Sequence, residues 1–535
     1  MFGCNQREQS FNSKIQTLFF ELNPYQSLLE LVRKILILDF ISGFVLPTYL
    51  TTLGILAIYG LHRYQLIYLY FKNRNNKPRY KSVLTKFPVV TIQLPIYNEQ
   101  YVAKRLIEAV ARINYPHHLL EIQVLDDSTD ETQSITRSCV KNFQKIGFNI
   151  QYHHRKNRLG YKAGALSYGL KSAKGEFVAI FDSDFIPNTS FLHDTLHYFT
   201  DPTIGMVQVR WGHINQNYNH LTQIEAILLD GHFVMEHGGR NRSGRFFNFN
   251  GTAGIWRRKS IETAGGWQLD TLTEDTDLSY RAQLQGWRFI YLPDVVCSAE
   301  LPVEINSFKS QQFRWTKGLV QNGVKLLPII VRSNIPLKIK IEAFFHLSAN
   351  LSYPLMLLLS LLFFPAMVFR SYQGWSQVLL IDFPLFVLAT VSVSSFYLLS
   401  QRELHPTSWG RKIKYLPLLM SIGIGLSVSN TLAVIEALLG IKSPFKRTPK
   451  YCIQSPASTY VDHYKHQNKV GFTPFVEIIL GIYFCFTTFY VWSSGNYIVI
   501  PFSLIFLAGF FYMGLMSLFQ IPITRFLQPK NKNIK

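Results

Sequence analysis

Four short stretches carry residues able to act on a phosphate-bearing substrate. In EFVAIFDSDF an apolar, β-branched run ends in Asp182 and Asp184, one residue apart. Residues i and i+2 leaving a strand point the same way, so the two carboxylates can converge on one cation. Two hard oxygen donors suit Mg²⁺ or Mn²⁺, which keep other positions for water and phosphate oxygens. Asp-x-Asp also occurs in solvated loops and helix caps; its place after a buried strand makes a diphosphate-holding metal site the sharper expectation. Just upstream, HHRKNRLGYKAGAL crowds His153, His154, Arg155, Lys156, Arg158 and Lys162 into a turn before a helix. Helix N-termini favour anions, so phosphate is the natural guest, although such a run also serves as a solvated or lipid-facing surface. TLTEDTDLSYRAQLQGW holds Thr273, Glu274, Asp275 and Asp277 at a helix start. Capping explains one or two of these; a carboxylate there, beside a metal–diphosphate site, is placed as a general base. Burial would raise its pKa and a metal or the helix dipole would lower it. FKSQQFRWTKG puts Gln311, Arg314 and Trp315 at i, i+3 and i+4, on one helical face. A guanidinium grips phosphate and an indole stacks on a sugar ring, while the same helix can also lie on a membrane surface.

These residues need a scaffold, and the surrounding pattern supplies one. VVTIQLPIYNE is a strand running into a loop, YVAKRLIEAVARI has helical spacing, and LLEIQVLDDSTDET is another strand ending in acids and hydroxyls. Then come NIQYHHR, the helix-like KAGALSYGLKSA and EFVAIFDSDF. Near-continuous apolar strands separated by helices predict a mostly parallel sheet covered on both faces. Ligands of such sheets bind beyond the carboxyl ends of the strands. Three strands place polar residues there: Asn98 and Glu99, Asp126 and Asp127, Asp182 and Asp184.

The whole chain is larger and greasier than that domain. It has 535 residues, 48% hydrophobic and 16% charged, which predicts a soluble domain joined to a membrane domain. Its +21 formal charge favours anionic lipid, phosphorylated substrates or nucleic acid. Nucleic-acid binding is not expected, because the basic residues flank apolar segments and acidic motifs rather than interleaving with aromatics. The five cysteines lack metal or disulfide spacing, so the soluble part is expected in a reducing compartment. No cleavable signal peptide is expected, since the first long apolar run starts near Ile35. The division predicted is an N-terminal segment (1–34), a transmembrane region (35–71), a cytosolic α/β domain (85–330), an interfacial helix (331–345) and two transmembrane helices (346–400). A cytosolic loop with an interfacial or re-entrant segment follows (401–440), then a cytosolic loop (441–472), two more transmembrane helices (473–520) and a basic cytosolic tail (521–535). Positive charge after the first span and around 401–450 places the soluble domain in the cytoplasm.

The ordered set DDSTD, DSD, TED and QQFRW resembles the processive family 2 glycosyltransferases, which include cellulose, hyaluronan and chitin synthases. Through QVLDDSTDET, FNFNGTAGIWR, AGGW and FKRTPKY the sequence is most similar to the cellulose synthase-like mannan and glucomannan synthases. The resemblance implies a GT-A fold inserted between transmembrane helices. It assigns Asp126 and Asp127 to the nucleotide, joined at the strand tips by Asn98 and Glu99, with Lys162 near the diphosphate. Asp182 and Asp184 become the metal motif, Asp275 the catalytic base, and Gln311, Arg314 and Trp315 the acceptor-side motif that also closes over the diphosphate. Asn250, Gly251, Thr252 and Glu274 line the acceptor, and FKRTPK, with Phe445, Arg447, Thr448 and Lys450, resembles a gating loop over the nucleotide. DDS replaces the DDG common in cellulose synthases, so GDP-mannose and UDP-glucose both stay open as donors. The implied activity is an inverting, metal-dependent transfer that builds a β-mannan, glucomannan or β-glucan and passes it through the membrane. A non-processive enzyme making a glycolipid shares the same sheet and metal site. A non-catalytic transporter would need internal repeats and paired broken spans, which the sequence does not show.

Overall fold

The computed structural model describes residues 24–373, 379–443, 447–453 and 471–527; Phe445 lies outside them. Eight strands build one sheet: β1 (Val90–Ile96), β2 (Leu120–Asp126), β3 (Ile150–His154), β4 (Phe177–Ile180), β5 (Phe185–Ile186), β6 (Ile204–His213), β7 (Gly254–Arg257) and β8 (Arg288–Ala299). Their order is β3-β2-β1-β4-β7-β6-β8-β5. The four strands at one end are parallel. Beyond them β7 runs antiparallel to β4 and β6, and β5 antiparallel to β8, while β6 and β8 are parallel. The sheet is therefore more mixed than its first half suggests.

Helices longer than eight residues are numbered in chain order. In and beside the sheet domain these are α2 (Ala103–Ala111), α3 (Thr132–Lys145), α4 (Tyr161–Ser172), α5 (His220–Gly231), α6 (Glu274–Leu284) and α7 (Ile305–Arg332); α1 (Pro24–Lys72) precedes them. Strand alternation feeds two cores. Val90, Ile92, Leu94 and Ile96 of β1 pack with Leu106, Ile107 and Val110 of α2, joined by Phe177 and Ala179 of β4. The other face of β4, Val178 and Ile180, packs with Ala163, Ala165 and Leu166 of α4. Each valine, leucine, isoleucine or phenylalanine among them contributes roughly 1.5–3 kcal/mol of burial. Between the strands of this second face lies a polar ladder, in which Thr91 donates to Glu121 at 2.6 Å and Gln93 to Gln123 at 3.0 Å. The register pairs Ile96 with Asp126 and Asp126 with His154, so β1, β2 and β3 end level. Gln93 pairs with Ile180, so the DSD run leaves the sheet beside the tip of β1.

Toward the C-terminus follow α8 (Leu337–Ser348), α9 (Ser352–Gln373), α10 (Leu379–Leu404), α11 (Leu416–Gly425), α12 (Ser427–Leu438), α13 (Thr473–Ser493) and α14 (Ile500–Leu527). Among the described residues five stretches are long and apolar enough to cross a membrane: Gly43–Lys72, Leu337–Arg370, Phe383–Leu404, Thr473–Ser493 and Tyr497–Gln520. The first helix runs to Lys72, and His62 within it meets the buried Glu342 carboxylate at 3.2 Å. One boundary differs from expectation. The segment expected to be an interfacial helix is continuous with the following apolar run from Leu337. The stretch 409–438 is two helices bent by 40° at Leu426, a broken span or a re-entrant loop. Its first half meets α14 through small residues: a Cβ on Gly509 would stand 2.2 Å from the Ser421 carbonyl, and one on Gly425 would stand 2.5 Å from the Gly509 carbonyl.

By contact density the chain divides into a smaller unit, Met1–Ile55 with Leu358–Phe386, and a larger one, Leu56–Leu357 with Val387–Lys535. In the smaller unit the Arg370 guanidinium lies 4.9 Å from the centroid of the Tyr49 ring. The larger unit holds the sheet and every residue of the site below.

Candidate active site

One cleft opens beyond the ends of β1, β2 and β4. Glu99, Asp127, Lys162, Asp182 and Asp184 line it, with Asn250 and Gly251 from the loop before β7 and Glu274 and Asp275 from the start of α6. Gln311, Arg314 and Trp315 of α7 and the segment with Arg447, Thr448 and Lys450 complete the wall. Three acidic clusters far apart in the chain thus face one space. Asn98, Asp126 and Thr252 do not line it. Asp126 is fully buried. Its carboxylate accepts from the Ser128 N–H at 2.8 Å, from Thr136 at 2.8 Å and from Tyr152 at 2.9 Å. The strand alternates faces, so of the two neighbours only Asp127 turns outward. Thr252 accepts from the Asp182 N–H at 2.9 Å and so holds the end of the DSD run. Asn98 pairs with Thr129, accepting from its N–H at 2.8 Å.

The basic run divides in the same way. Arg155 clamps Asp127 through both oxygens, one bond measuring 2.8 Å, and is spent there rather than on a phosphate. His154 contacts the Asp126 carbonyl oxygen at 2.9 Å. Arg158 and Lys162 reach the cleft, Arg158 lying 3.3 Å from the centroid of the Tyr97 ring. At the first turn of α4, the Lys162 ammonium is 2.5 Å from Asp182 Oδ1 and donates to the Gly251 carbonyl at 3.0 Å. Gly251 has φ +81°, and a Cβ there would stand 3.1 Å from Asp275 Oδ2 and 3.3 Å from Lys162 Nζ. Only glycine lets the backbone pass between the Asp275 carboxylate and the Lys162 ammonium without strain. Arg314 donates to Thr448 at 3.0 Å, tying the QQFRW helix to the FKRTPK segment.

Packing these charges together moves their pKa values. Burial pushes the Asp275 carboxyl up to about 7, reinforced by Glu274 and opposed by Lys162. Burial likewise raises Glu274 and Asp182, with Lys162 opposing each. Burial pulls Lys162 down, but Asp182 and Glu274 outweigh it and the ammonium ends above its ordinary value. Burial lowers Arg314 to about 10, against the pull of Asp182 and Glu274. An acid near neutrality beside a firmly charged lysine has the make-up that a general base next to an anion holder would need.

Asp182 and Asp184 fit a divalent cation. Lys162 and Lys450, at 2.5 and 2.8 Å, show that both carboxylates already present oxygens to positive charge. Among the described residues no three His, Cys, Asp or Glu side chains form a closed metal cage. Two protein oxygens, with the rest from phosphate and water, is the Mg²⁺ or Mn²⁺ pattern rather than a structural zinc site.

Helix α7 fixes the start of α6. Asn322 donates to the Thr273 carbonyl at 2.9 Å and to its hydroxyl at 2.8 Å. Gly318 allows the close approach, since a Cβ there would stand 2.6 Å from Thr273. Asp277, two residues past Asp275, turns away from the cleft into ion pairs with Arg281 at 2.6 Å and Lys325 at 2.7 Å. The α7 helix is itself pinned by Lys309 to Glu477 at 2.7 Å and by Lys317 to Glu436 at 2.6 Å. The sequence motifs did not single out the cleft residues Tyr97 and Trp211. Nor did they single out His232, which contacts Asn250. The aromatic residue closing β1 before Asn98 was the one available signal for Tyr97.

The family profile described as Glycosyltransferase like family 2 matches residues 88–318. Over those residues the chain matches the family 2 glycosyltransferases. The sheet with acidic strand tips is the GT-A arrangement expected of it. Among curated proteins, glucomannan 4-beta-mannosyltransferase 2 of Arabidopsis thaliana is 41% identical over 281 residues, 50% of this chain and 52% of that protein. Glucomannan 4-beta-mannosyltransferase 1 of Cyamopsis tetragonoloba is 44% identical over 239 residues, 44% of this chain and 45% of that protein. The chain thus aligns with about half the length of these relatives. A solved structure of the mannosyltransferase PcManGT from Pyrobaculum calidifontis, in complex with GDP-Man and Mn2+, aligns with 74% of this chain and all of its own, at 19% identity and a TM-score of 0.46.

Proposed function

We propose that this glycosyltransferase polymerises sugar from a nucleotide-sugar donor into a β-linked polysaccharide at the cytosolic face of a membrane. GDP-mannose is the favoured donor and a mannan or glucomannan the favoured product, since the curated relatives carry mannosyl-transfer names. The observation that carries the reading is the line of groups from Asp275 past Gly251 to Lys162 and on to Asp182, which sets a base beside a diphosphate-sized run of charge. Asp275 takes the proton of an acceptor hydroxyl, and that oxygen attacks the anomeric carbon. The C–O bond to the diphosphate breaks on the opposite face, so an α-linked donor gives a β-linkage. Lys162 and Arg314 hold the departing diphosphate, and Trp315 offers its indole to the acceptor ring. A divalent cation held by Asp182 and Asp184 would add electrostatic stabilisation of the leaving group. Basic flanks at 62–81 and 402–414 support the cytosolic placement of the domain. The five membrane-length apolar stretches among the described residues support an export path for the polymer.

Purified protein in sealed vesicles, given labelled GDP-mannose or UDP-glucose with Mn²⁺, should build chains that an endo-β-mannanase degrades. Release of nucleoside diphosphate from neither donor would sink the glycosyltransfer reading, and single-sugar products alone would sink the polymerising one.

A further inference from the structure

The helical run from His220 to Arg242 changes its winding in the middle. It is α-helical to Gly231, π-helical over His232–His237, and α-helical again over Gly238–Arg242. A π turn inside a helix is uncommon and is retained mostly where it aims side chains at a site. Here it aligns His232 and Glu236. Glu236 Oε2 contacts His232 Nδ1 at 2.9 Å, and His232 Nε2 contacts Asn250 Nδ2 at 2.8 Å. Glu236 is held in turn by Arg240 at 3.2 Å, and Arg240 by Glu342, which also meets His62. Burial raises the Glu236 carboxyl, but Arg240 and the His232 contact outweigh it, so it stays an anion able only to accept. The carboxylate can only accept, so His232 carries a proton on Nδ1, and the contact of Nε2 with the Asn250 amide nitrogen makes Nε2 the acceptor there. Asn250 must turn its NH₂ toward His232, which leaves its carbonyl Oδ1 facing away. That oxygen is buried and, alone on its side chain, has no hydrogen-bond partner among the described residues.

We propose that His232 is a positioning residue: through Glu236 and its own tautomer it locks the Asn250 amide so that Oδ1 accepts a hydroxyl of the acceptor saccharide. The inference rests on the glycosyltransfer reading above and deepens it by naming what orients the acceptor. The π turn supplies the geometry, and the Arg240–Glu342–His62 chain ties its far end to the apolar helices α8 and α1. Loss of His232 leaves Asn250 free to rotate, so half its orientations offer the hydroxyl a donor where an acceptor is needed.

The test is a double-mutant cycle on the full chain in detergent, read as the equilibrium affinity for β-1,4-linked mannohexaose without donor. His232→Phe and Asn250→Ala should each weaken binding roughly five- to tenfold, the scale of one neutral hydrogen bond. The double variant should bind no worse than Asn250→Ala, because His232 acts only through that amide. Should His232→Phe not fold, Glu236→Gln frees the tautomer instead: a smaller loss, absent in the Asn250→Ala background, supports the proposal. Wild-type affinity in both His232→Phe and Glu236→Gln, or losses that multiply in the double variant, overturns it. Glycosyl transfer is measured separately as nucleoside diphosphate release by the wild type, so its failure cannot be mistaken for failure of the positioning role.

Discussion

Replacing Asp275 with Asn should abolish transfer and make the folded protein more stable. The carboxyl sits at about 7 against an ordinary 3.8, chiefly because burial disfavours its charge. A raised carboxylate means the folded state holds the proton more tightly than the unfolded state, so ionising it opposes folding. No cost exists below pH 3.8; the cost grows through the window between 3.8 and about 7 and is constant above it. At about 1.36 kcal/mol per pH unit, the full cost is at most about 4 kcal/mol at pH 8 and under 2 kcal/mol at pH 5. Asn keeps the shape and the oxygen that accepts from the Thr276 N–H at 2.7 Å, and it cannot ionise. Thermal unfolding in detergent with EDTA should show a clear rise in Tm at pH 8 that shrinks by more than half at pH 5. Nucleoside diphosphate release should fall by roughly 10²–10⁴, the usual contribution of a general base. In the wild type the rate should drop about tenfold per pH unit below the base's midpoint, which a bound divalent cation moves downward. Equal Tm values at pH 8, or substantial residual transfer, would refute the assignment.

Gly251→Ala should fold less stably by about 1–2 kcal/mol for its left-handed backbone. It should also lose far more transfer than donor affinity, because the new methyl displaces Asp275 and Lys162; a kcat unchanged from wild type would contradict that. Asp184→Asn should lower Mn²⁺ affinity at least tenfold by electron paramagnetic resonance titration, whereas an unchanged titration would place the metal elsewhere. Asp277→Ala strands Arg281 without its buried carboxylate, while Lys325 keeps Asp270 at 2.8 Å, and should cost about 3 kcal/mol in denaturant unfolding.

What the sequence disclosed depended on how local the cause was. Strand periodicity alone separates Asp127 from Asp126 and pairs Asp182 with Asp184, since neighbours on a strand face opposite sides and alternate residues share one. Helical periodicity does the same for the TED run: two residues along a helix is about 200° of rotation, so Asp277 had to turn away from a cleft that Asp275 faces. Both separations were legible, although the motifs were read as blocks. The antiparallel insertion of β7 between β4 and β6 was not, because Ile180 and Gly254 meet across a long stretch of chain whose own pattern is unremarkable. Nor was the spending of Arg155 on Asp127, or of His154 on a backbone carbonyl, because composition shows a basic cluster without showing its partners.

The same distinction explains why acidic and basic motifs needed each other to be interpreted. A cleft holding Glu99, Asp127, Asp182, Asp184, Glu274 and Asp275 would repel a diphosphate if those groups stood alone. Lys162 on Asp182, Arg155 on Asp127, Arg447 on Glu99 and Lys450 on Asp184 neutralise four of the six pairwise. Among the described residues Glu274 and Asp275 are the two of the six in no salt bridge; burial raises both, as it does the paired Asp182 and Glu99. Pairwise compensation thus covers the carboxylates at the strand tips and leaves out the two at the start of α6. A carboxylate whose charge is uncompensated is the one that gains most by taking a proton, which is what an attacking hydroxyl requires of it.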